Sequence, residues 1–214
     1  MKTLNIETLI EKNIIKTMKS FDLTGTLRSE FGKKAAKNFR KQEMVPCNLY
    51  GLGENITFTV TVADVRNLIY TPDTLVVNLT IGDATKKAVV KEMQFHPITE
   101  NILHIDFLEV NEEKPVVVAI PVQLTGLAEG VKSGGKLSLE MRKLKVKGIY
   151  TQIPERIVVD VTSLGLGKKI AVGDIQVEGL TMMNVKDACV AQVKATRASQ
   201  QAAAAAAPAK GKKK

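Results

Sequence analysis

Short segments in which apolar and polar residues alternate follow one another along most of this chain, separated by turns. A period of two places neighbouring side chains on opposite faces of a β-strand. The segments with this pattern are 21–28, 56–60, 75–81, 86–95, 102–110, 116–124, 136–148 and 156–161. Within the middle of the chain, helical spacing occurs at 33–43, which ends before Pro46, and in a short stretch after Thr61, where Thr61 and Asp64 have the spacing of a helix N-terminal capping box. We therefore predict a mainly β protein with short helices, of the α+β class.

The 214 residues are enough for two domains. The composition changes at the polar stretch 111–115, NEEKP, where we place the boundary. We predict a first domain over 18–110 and a second, all-β domain over 111–195, built as a sandwich or barrel. In the first domain, Gly82 and Asp83 separate two strand-like segments and predict a hairpin.

The two ends of the chain differ from the middle. Residues 1–17 have no long apolar run and are not a secretory signal; they are an N-terminal extension with a possible short helix, or translation starts at Met18. Residues 196–214 are rich in alanine and lysine and predict a disordered basic tail, which either lies on phosphate groups or only aids solubility. No apolar run has the ~18–20 residues of a membrane span, so we expect no membrane partner.

Positive charge is concentrated near the start of the first domain. The chain has a net charge of +9, and residues 18–53 carry seven Lys/Arg against three Asp/Glu, whereas 54–110 carry four against eight. Within 33–43, helical geometry gathers the basic residues on one side, away from Ala35 and Phe39. A domain with one basic end is typical of polyanion binding, and the alternative is a solvated, lysine-rich surface.

The sequence lacks the common catalytic motifs. It contains no G-x-S-x-G, H-E-x-x-H or C-x-x-C pattern, and the 165–169 stretch GLGKK only loosely resembles a phosphate loop. His96 and His104 lie eight residues apart with no cysteine near them, which makes a poor zinc site. We predict no enzymatic activity, no cofactor, no metal and no small-molecule substrate. The presence of only two cysteines suits a reducing compartment.

The segment ILHIDF at 102–107 carries a polar pair. In a strand, His104 and Asp106 share one face while Ile105 and Phe107 share the other, which we expect to point into the core. The imidazole and the carboxylate are then displayed together on the outside. A carboxylate suits an RNA-binding face when it accepts a hydrogen bond from a 2′-OH or a base amino group. The alternative is a surface pair in which Asp106 only steadies His104.

Two pairs of segments are similar to a known family. LTGTLRSEFGKKAAKNFRKQEMVPCNLYG at 23–51 and HPITENILHIDFLEV at 96–110 resemble the 5S-rRNA-binding family of bacterial large-subunit ribosomal protein twenty-five. The segments at 120–148 and 153–170 resemble the extra C-terminal β domain of its longer members, the CTC general-stress type. The similarity covers about 20–190. Because it begins at about Lys19, it favours Met18 as the initiator.

This resemblance implies a six-stranded type of β-barrel for the N-terminal domain, which binds 5S rRNA in the central protuberance. It implies a cytoplasmic, ribosomal location, with 5S rRNA and other large-subunit components as partners. The family's RNA-contacting positions fall here on Arg28, Lys33, Lys37, Arg40, Tyr50, Gln94, His104 and Asp106. The four cations would meet phosphates, and Gln94, His104 and Asp106 would contact sugar and base edges.

Several alternatives stay open. The ring of Tyr50 either faces RNA or lies in the core. Asn38 stands where shorter members often have a second consecutive basic residue, so one phosphate contact is expected to be weaker or missing. Lys143, Lys145 and Lys147 share one strand face, as a second RNA contact or, by slight preference, as a solvated edge strand. The alternative functions are a tRNA-binding accessory module and a stress-induced protein that acts through its C-terminal domain.

Overall fold

A computed structural model describes residues 18–53, 55–177 and 179–196. The predictions for 1–17 and for the tail beyond Thr196 lie outside the described residues. The first six strands close into a barrel in the order β1-β3-β2-β6-β5-β4. These strands are β1 Ser20–Leu27, β2 Met44–Tyr50, β3 Ile56–Thr61, β4 Val76–Ile81, β5 Ala84–Phe95 and β6 Ile102–Glu109.

The barrel core is formed by the inward side chains of alternate strand residues. Phe58 and Phe107 lie at its centre, with ring centroids 5.7 Å apart, and both are fully buried. Gly25 on β1 makes room for them, because a Cβ at this position would lie 2.6 Å from a ring carbon of Phe58. A small residue opposite a large one is how the narrow interior of such a barrel is filled.

Two short helices flank the barrel, α1 Lys33–Lys41 and α2 Val62–Ile69. Thr61 caps α2 by accepting a hydrogen bond from the Asp64 backbone N–H at 3.2 Å, as the Thr-x-x-Asp spacing predicts. The predicted hairpin at Gly82 is confirmed, since β4 and β5 are antiparallel neighbours. The first helix ends two residues before the predicted segment 33–43 does. The helix ends at Lys41, and Pro46 lies inside β2, one residue before the pairing of β2 with β6 begins.

The rest of the described chain forms two smaller sheets, ordered β10-β7-β9-β12 and β11-β13-β8. Their apolar faces meet, and Ile120, Leu144 and Val190 are fully buried between them. The predicted second all-β part is therefore confirmed. The strands are β7 Val116–Thr125, β8 Lys136–Leu139, β9 Lys143–Gly148, β10 Ile157–Asp160, β11 Lys169–Ala171, β12 Thr181–Met182 and β13 Cys189–Lys194. A helix of one turn, α3, spans Glu129–Lys132, and 3₁₀ turns span Tyr150–Gln152 and Val172–Asp174.

Two predictions for this part were wrong. The segment 136–148 is not one strand: β8 and β9 lie in different sheets, separated at Glu140–Arg142. The predicted edge strand with Lys143, Lys145 and Lys147 is β9, which pairs with β7 on one side and β12 on the other. The three lysines are exposed while Leu144 and Val146 are buried, so the alternation itself is confirmed.

The barrel and the two smaller sheets contact each other. Val89 of β5 and Val110, just after β6, belong to the buried cluster that contains Ile120 and Leu144. Two ion pairs also link the barrel part of the chain to the second part: Arg156 pairs with Asp73, and the nearly buried Glu155 carboxylate lies 3.0 Å from the ammonium group of Lys19. The 111–115 stretch connects β6 to β7. The division into domains at this stretch stays a prediction.

Candidate nucleic-acid interface

The outer face of β6 displays the predicted imidazole and carboxylate together. His104 Nδ1 lies 3.3 Å from Asp106 Oδ1, and the two side chains keep 20% and 24% of their surface exposed. Ile105 and Phe107, which alternate with them, are fully buried in the barrel. The prediction that the polar pair faces outward is therefore confirmed. The carboxylate retains lone pairs for a further hydrogen bond, because the single contact with His104 occupies only one side of one oxygen.

A β-bulge brings two side chains of β5 beside this pair. Glu92 lies opposite Asp106 and Gln94 lies opposite His104, and the register shifts between Val90 and Glu92. Without the extra residue at this shift, the alternation would turn Glu92 and Gln94 toward the core. The bulge therefore places an amide and a second carboxylate on the outer face. Gln94 is exposed and lies directly across from the imidazole of His104.

On the other side of β6, strand β2 supplies Asn48 and Tyr50. Asn48 lies opposite Asp106, and Tyr50 lies opposite Leu108, in a parallel pairing. Tyr50 is half-buried on the outer face, whereas Leu49 points into the barrel core. Its burial and, to a smaller extent, the carboxylates of Asp106 and Glu92 raise the pKa of the Tyr50 phenol. At neutral pH this phenol is therefore a hydrogen-bond donor beside two acceptors.

We call this set of outward side chains the polar strand face. Its members share three adjacent strands, β2, β6 and β5. They are Asn48, Tyr50, Glu92, Gln94, His104 and Asp106. The face offers amide, phenol, imidazole and carboxylate groups, which suit hydrogen bonding to sugar and base edges better than binding of phosphate.

Helix α1 follows Gly32 and carries positive charge in its first turn, where a helix usually favours negative charge. Gly32 has φ +95°, a conformation that other residues rarely adopt, and it has no side chain to cap the first backbone N–H groups. The first turn holds no acid, and Lys33 and Lys34 occupy its start. Cations at the positive end of a helix are unfavourable by themselves, and a bound anion relieves this. The start of α1 therefore suits a phosphate group.

The basic residues of α1 are exposed to solvent, whereas Ala35 is buried where the helix packs on the barrel. We call their side the basic helix face. It consists of Lys33, Lys37, Arg40 and Lys41, all exposed. None of these four residues forms an ion pair with a described carboxylate. Their charge is therefore left for an external polyanion.

Arg40 joins the basic helix face to the polar strand face. Its Nε and Nη2 atoms donate hydrogen bonds to the Leu103 carbonyl at 3.0 and 2.9 Å. Leu103 precedes His104, so the guanidinium group is held beside the start of the polar strand face. A guanidinium carries five N–H donors in a fixed fork, and those not used on Leu103 remain for a phosphate.

Arg28 reaches α1 from the end of β1. Its backbone N–H donates to the Thr57 carbonyl of β3 at 3.2 Å. Because β1 and β6 are three strands apart in a closed barrel of six, the backbone of Arg28 is remote from the polar strand face. The guanidinium carbon lies 5.7 Å from the ring centroid of Phe31 and 5.4 Å from that of Phe39.

The structure thus places the eight predicted residues in two groups. Tyr50, Gln94, His104 and Asp106 form one group. The cations around α1 form the other, with Arg40 at the junction. Asn48, Glu92 and Phe31 were missed. The signal for Asn48 was its place opposite Asp106, which becomes visible only once β2 and β6 are paired.

Two general features complete the description. Over residues 18–53, 55–177 and 179–196, no helix combines the length and apolar character that a membrane crossing requires. In the same ranges, no three His, Cys, Asp or Glu side chains are grouped so that they could hold a metal ion.

Cys47 is buried in the barrel, which raises the pKa of its thiol, and its Sγ donates to the Val45 carbonyl at 3.5 Å.

Comparison with known proteins identifies two families of sequence along the chain. Residues 23–107 match the model of the Ribosomal L25p family, and residues 115–197 match that of the ribosomal protein TL5 C-terminal domain. The large ribosomal subunit protein bL25 of Porphyromonas gingivalis is 59% identical over 188 residues, which cover 87% of this chain and 98% of that protein. The bL25 proteins of Phocaeicola vulgatus and Parabacteroides distasonis are 52% and 53% identical, over 88% and 87% of this chain and 99% of each relative. This chain therefore belongs to the ribosomal L25p family, in the form that carries the TL5-type C-terminal domain.

Proposed function

We propose that this protein binds 5S rRNA in the central protuberance of the large ribosomal subunit. Its family consists of structural proteins of that subunit, so the protein is not an enzyme and acts on the ribosome, in the cytoplasm. The observation that carries the proposal is the junction at Arg40, where the basic helix face meets the polar strand face. One surface then offers both phosphate ligands and groups for sugar and base edges.

The two faces have different tasks in this proposal. The basic helix face neutralises phosphates and sets the orientation of the protein on the RNA stem. The polar strand face lies over the wide, shallow groove of the A-form stem, where 2′-OH groups and base edges are accessible. Asp106 accepts a hydrogen bond there, and Gln94 both donates and accepts. Asp106 lies opposite the carboxylate of Glu92, and both would repel a phosphate. We therefore place Asp106 over the groove, where it can accept a hydrogen bond.

The experiment is a hydroxyl-radical footprint and a titration of purified 5S rRNA with the full chain at several salt concentrations. We expect protection confined to one stem and its adjoining loop. The logarithm of the affinity should fall by roughly 0.7–0.9 per log unit of salt for each phosphate contact. Purified tRNA is the competitor: a preference for tRNA over 5S rRNA would contradict the proposal and support the accessory-module alternative.

A second experiment tests the ribosomal location of the site. Large subunits are washed in high salt and pelleted, and the protein is then detected in the pellet. The washed subunits are also treated with a cross-linker, and the RNA joined to the protein is identified. Recovery with the large subunit and cross-links to 5S rRNA are expected. A protein that is absent from washed subunits would instead fit the alternative in which the C-terminal part acts through protein contacts.

A further inference from the structure

The loop between β1 and α1 exposes a large aromatic ring beside a fixed cation. Phe31 keeps 67% of its surface exposed. The guanidinium carbon of Arg28 lies 5.7 Å from its ring centroid, within the range of a cation–π contact. The charged residues next to this ring are Glu30, whose carbonyl accepts from Arg28 Nη2 at 3.2 Å, and Lys33.

Several contacts hold the arginine that packs on this ring. The Arg28 backbone donates to Thr57 on β3, and its side chain packs on Phe39 of α1 as well as on Phe31. Gly32, with its positive φ, then turns the chain directly into α1. An aromatic ring fixed in this way loses little conformational freedom when a flat ligand packs on it.

We propose that the solvent side of Phe31 is a stacking site for an unpaired nucleobase of the bound RNA. The inference rests on the proposed function and adds a base-binding site to it. Every nucleobase has a π-face, and stacking on an aromatic side chain is a common way for proteins to hold bases that have left a helix. Arg28 is then a positioning residue for Phe31.

The neighbouring residues fit a nucleotide as a whole. The start of α1, with its uncapped N–H groups and the ammonium group of Lys33, is separated from Phe31 by the single residue Gly32. A nucleotide whose base stacks on Phe31 can therefore direct its phosphate toward the helix start. The preceding residue, Glu30, is exposed, and its carboxylate disfavours a phosphate near it. The base and phosphate positions are thus distinguished by charge.

Salt dependence separates this site from the phosphate contacts. Replacing Phe31 with Ala removes stacking without removing charge, so the affinity for a 5S rRNA transcript should fall by roughly 5- to 150-fold at every salt concentration. The slope of affinity against salt should stay unchanged. Phe31→Tyr should retain most of the affinity, whereas Phe31→Leu, which is apolar but has no π-face, should lose most of what Ala loses.

Tyr70 provides the matched control, because it is an aromatic residue with 66% exposure at the end of α2 on the same barrel. Tyr70→Ala should leave the affinity unchanged. Chemical probing of the transcript should show one unpaired base that wild-type protein protects and Phe31→Ala does not. A double-mutant cycle of Phe31→Ala and Arg28→Ala should give a combined loss smaller than the sum of the single losses, as expected for a ring that Arg28 positions.

The outcomes separate the two proposals. If wild-type protein binds 5S rRNA and Phe31→Ala binds equally well, the stacking site is overturned while the proposed function stands. The same conclusion follows if Phe31→Leu matches Phe31→Tyr, since a plain apolar contact then accounts for the ring. If wild-type protein does not bind 5S rRNA, the proposed function itself fails. Phe31 is exposed, so these variants should keep the melting temperature of the wild type.

Discussion

The protein presents two basic surfaces that look alike in the sequence and differ in the structure. One is the basic helix face on α1. The other is the lysine row of β9, formed by Lys143, Lys145 and Lys147. Both expose basic side chains that form no ion pair with a described carboxylate. Net charge therefore does not distinguish them.

The lysine row is explained by the fold alone. Leu144 and Val146 are fully buried under the sheet, so the residues that alternate with them must face solvent. Directly across from the lysines, β7 offers Val117, Ala119 and Pro121, which supply no hydrogen-bonding side chain. Lysine is a common choice for such positions and needs no ligand to account for it.

The basic helix face has features that solvation does not explain. Its arginine is held on the Leu103 carbonyl beside a polar pair, and its first lysine, Lys33, stands at the unfavourable end of a helix. Hydrogen-bond donors held in place beside groups that can hydrogen-bond to sugars and bases distinguish an organised binding site from a merely charged surface. The comparison teaches that organisation, and not the amount of charge, indicates where RNA binds.

The largest expected effect tests this comparison directly. Changing Lys33, Lys37 and Arg40 together to Glu should weaken binding of 5S rRNA by more than about 100-fold at moderate salt, because three phosphate contacts become repulsive. Changing the three lysines of the lysine row to Glu alters the net charge equally and should weaken binding by less than about threefold, through long-range repulsion alone. Filter binding of both triple variants measures this. Equal losses would show that charge alone decides and would remove the distinction between the two surfaces.

A smaller effect is expected for the junction residue. Arg40→Ala should lower the affinity by about tenfold and reduce the salt slope by about one unit. Arg40→Lys keeps the charge but cannot reproduce the fork that bonds Leu103, so it should recover the slope and only part of the affinity. Arg66→Ala on α2 is the control, because Arg66 is also an exposed helical arginine of the barrel. An Arg40→Ala variant with the slope and affinity of the control would contradict a role at the junction.

Asp106 tests the polar strand face. Asp106→Ala should weaken binding by about three- to tenfold, because a 2′-OH or a base amino group loses its acceptor. The salt slope should change little. Asp83→Ala, in the exposed β4–β5 turn, removes the same charge elsewhere and should strengthen binding slightly. If Asp106→Ala also strengthens binding, the carboxylate is only a repulsive neighbour, and the polar strand face does not read the RNA.

Much of this fold follows from local pattern. The alternation in 102–107 predicted which side of β6 faces outward, and the Thr-x-x-Asp spacing predicted the start of α2. The split of 136–148 also had a readable signal. Its apolar residues fall at odd positions through Met141 and at even positions from Leu144, so the period of two shifts phase where β8 and β9 separate. Because both halves alternate, the pattern predicts a single strand unless this shift of phase is taken into account.

Other features depend on contacts between distant residues. The bulge before Glu92 has no local signature, because it is defined by hydrogen bonds to β6. The arrangement of Arg40 on Leu103 joins residues that are 63 positions apart. The eight candidate residues came from a resemblance to a family and from residue types, and their contact with RNA stays a prediction. What local sequence could not supply is the parallel pairing of β2 with β6, which places Asn48 and Tyr50 beside Asp106.

The smallest effect on binding is expected where the barrel contacts the second half. Hydrogen bonds from Arg156 hold the pKa of the Asp73 carboxyl below its ordinary value. A lowered pKa in the folded state stabilises the protein above the unfolded pKa, and this contribution is lost as the pH falls through the folded pKa. Asp73→Asn should therefore lower the free energy of unfolding by about 0.5–1 kcal/mol at pH 7. The difference from wild type should disappear in strong acid, below both pKa values.

Denaturant unfolding at pH 7 and at low pH measures this, with Asp83→Asn in the exposed turn as the control. The same variant sharpens the comparison of the two surfaces. The basic helix face and the polar strand face lie within the barrel, so loosening the Asp73–Arg156 contact should leave the affinity for 5S rRNA unchanged. A clear loss of affinity in Asp73→Asn would mean that the position of the second half relative to the barrel matters for RNA, and the lysine row would then need a role in binding.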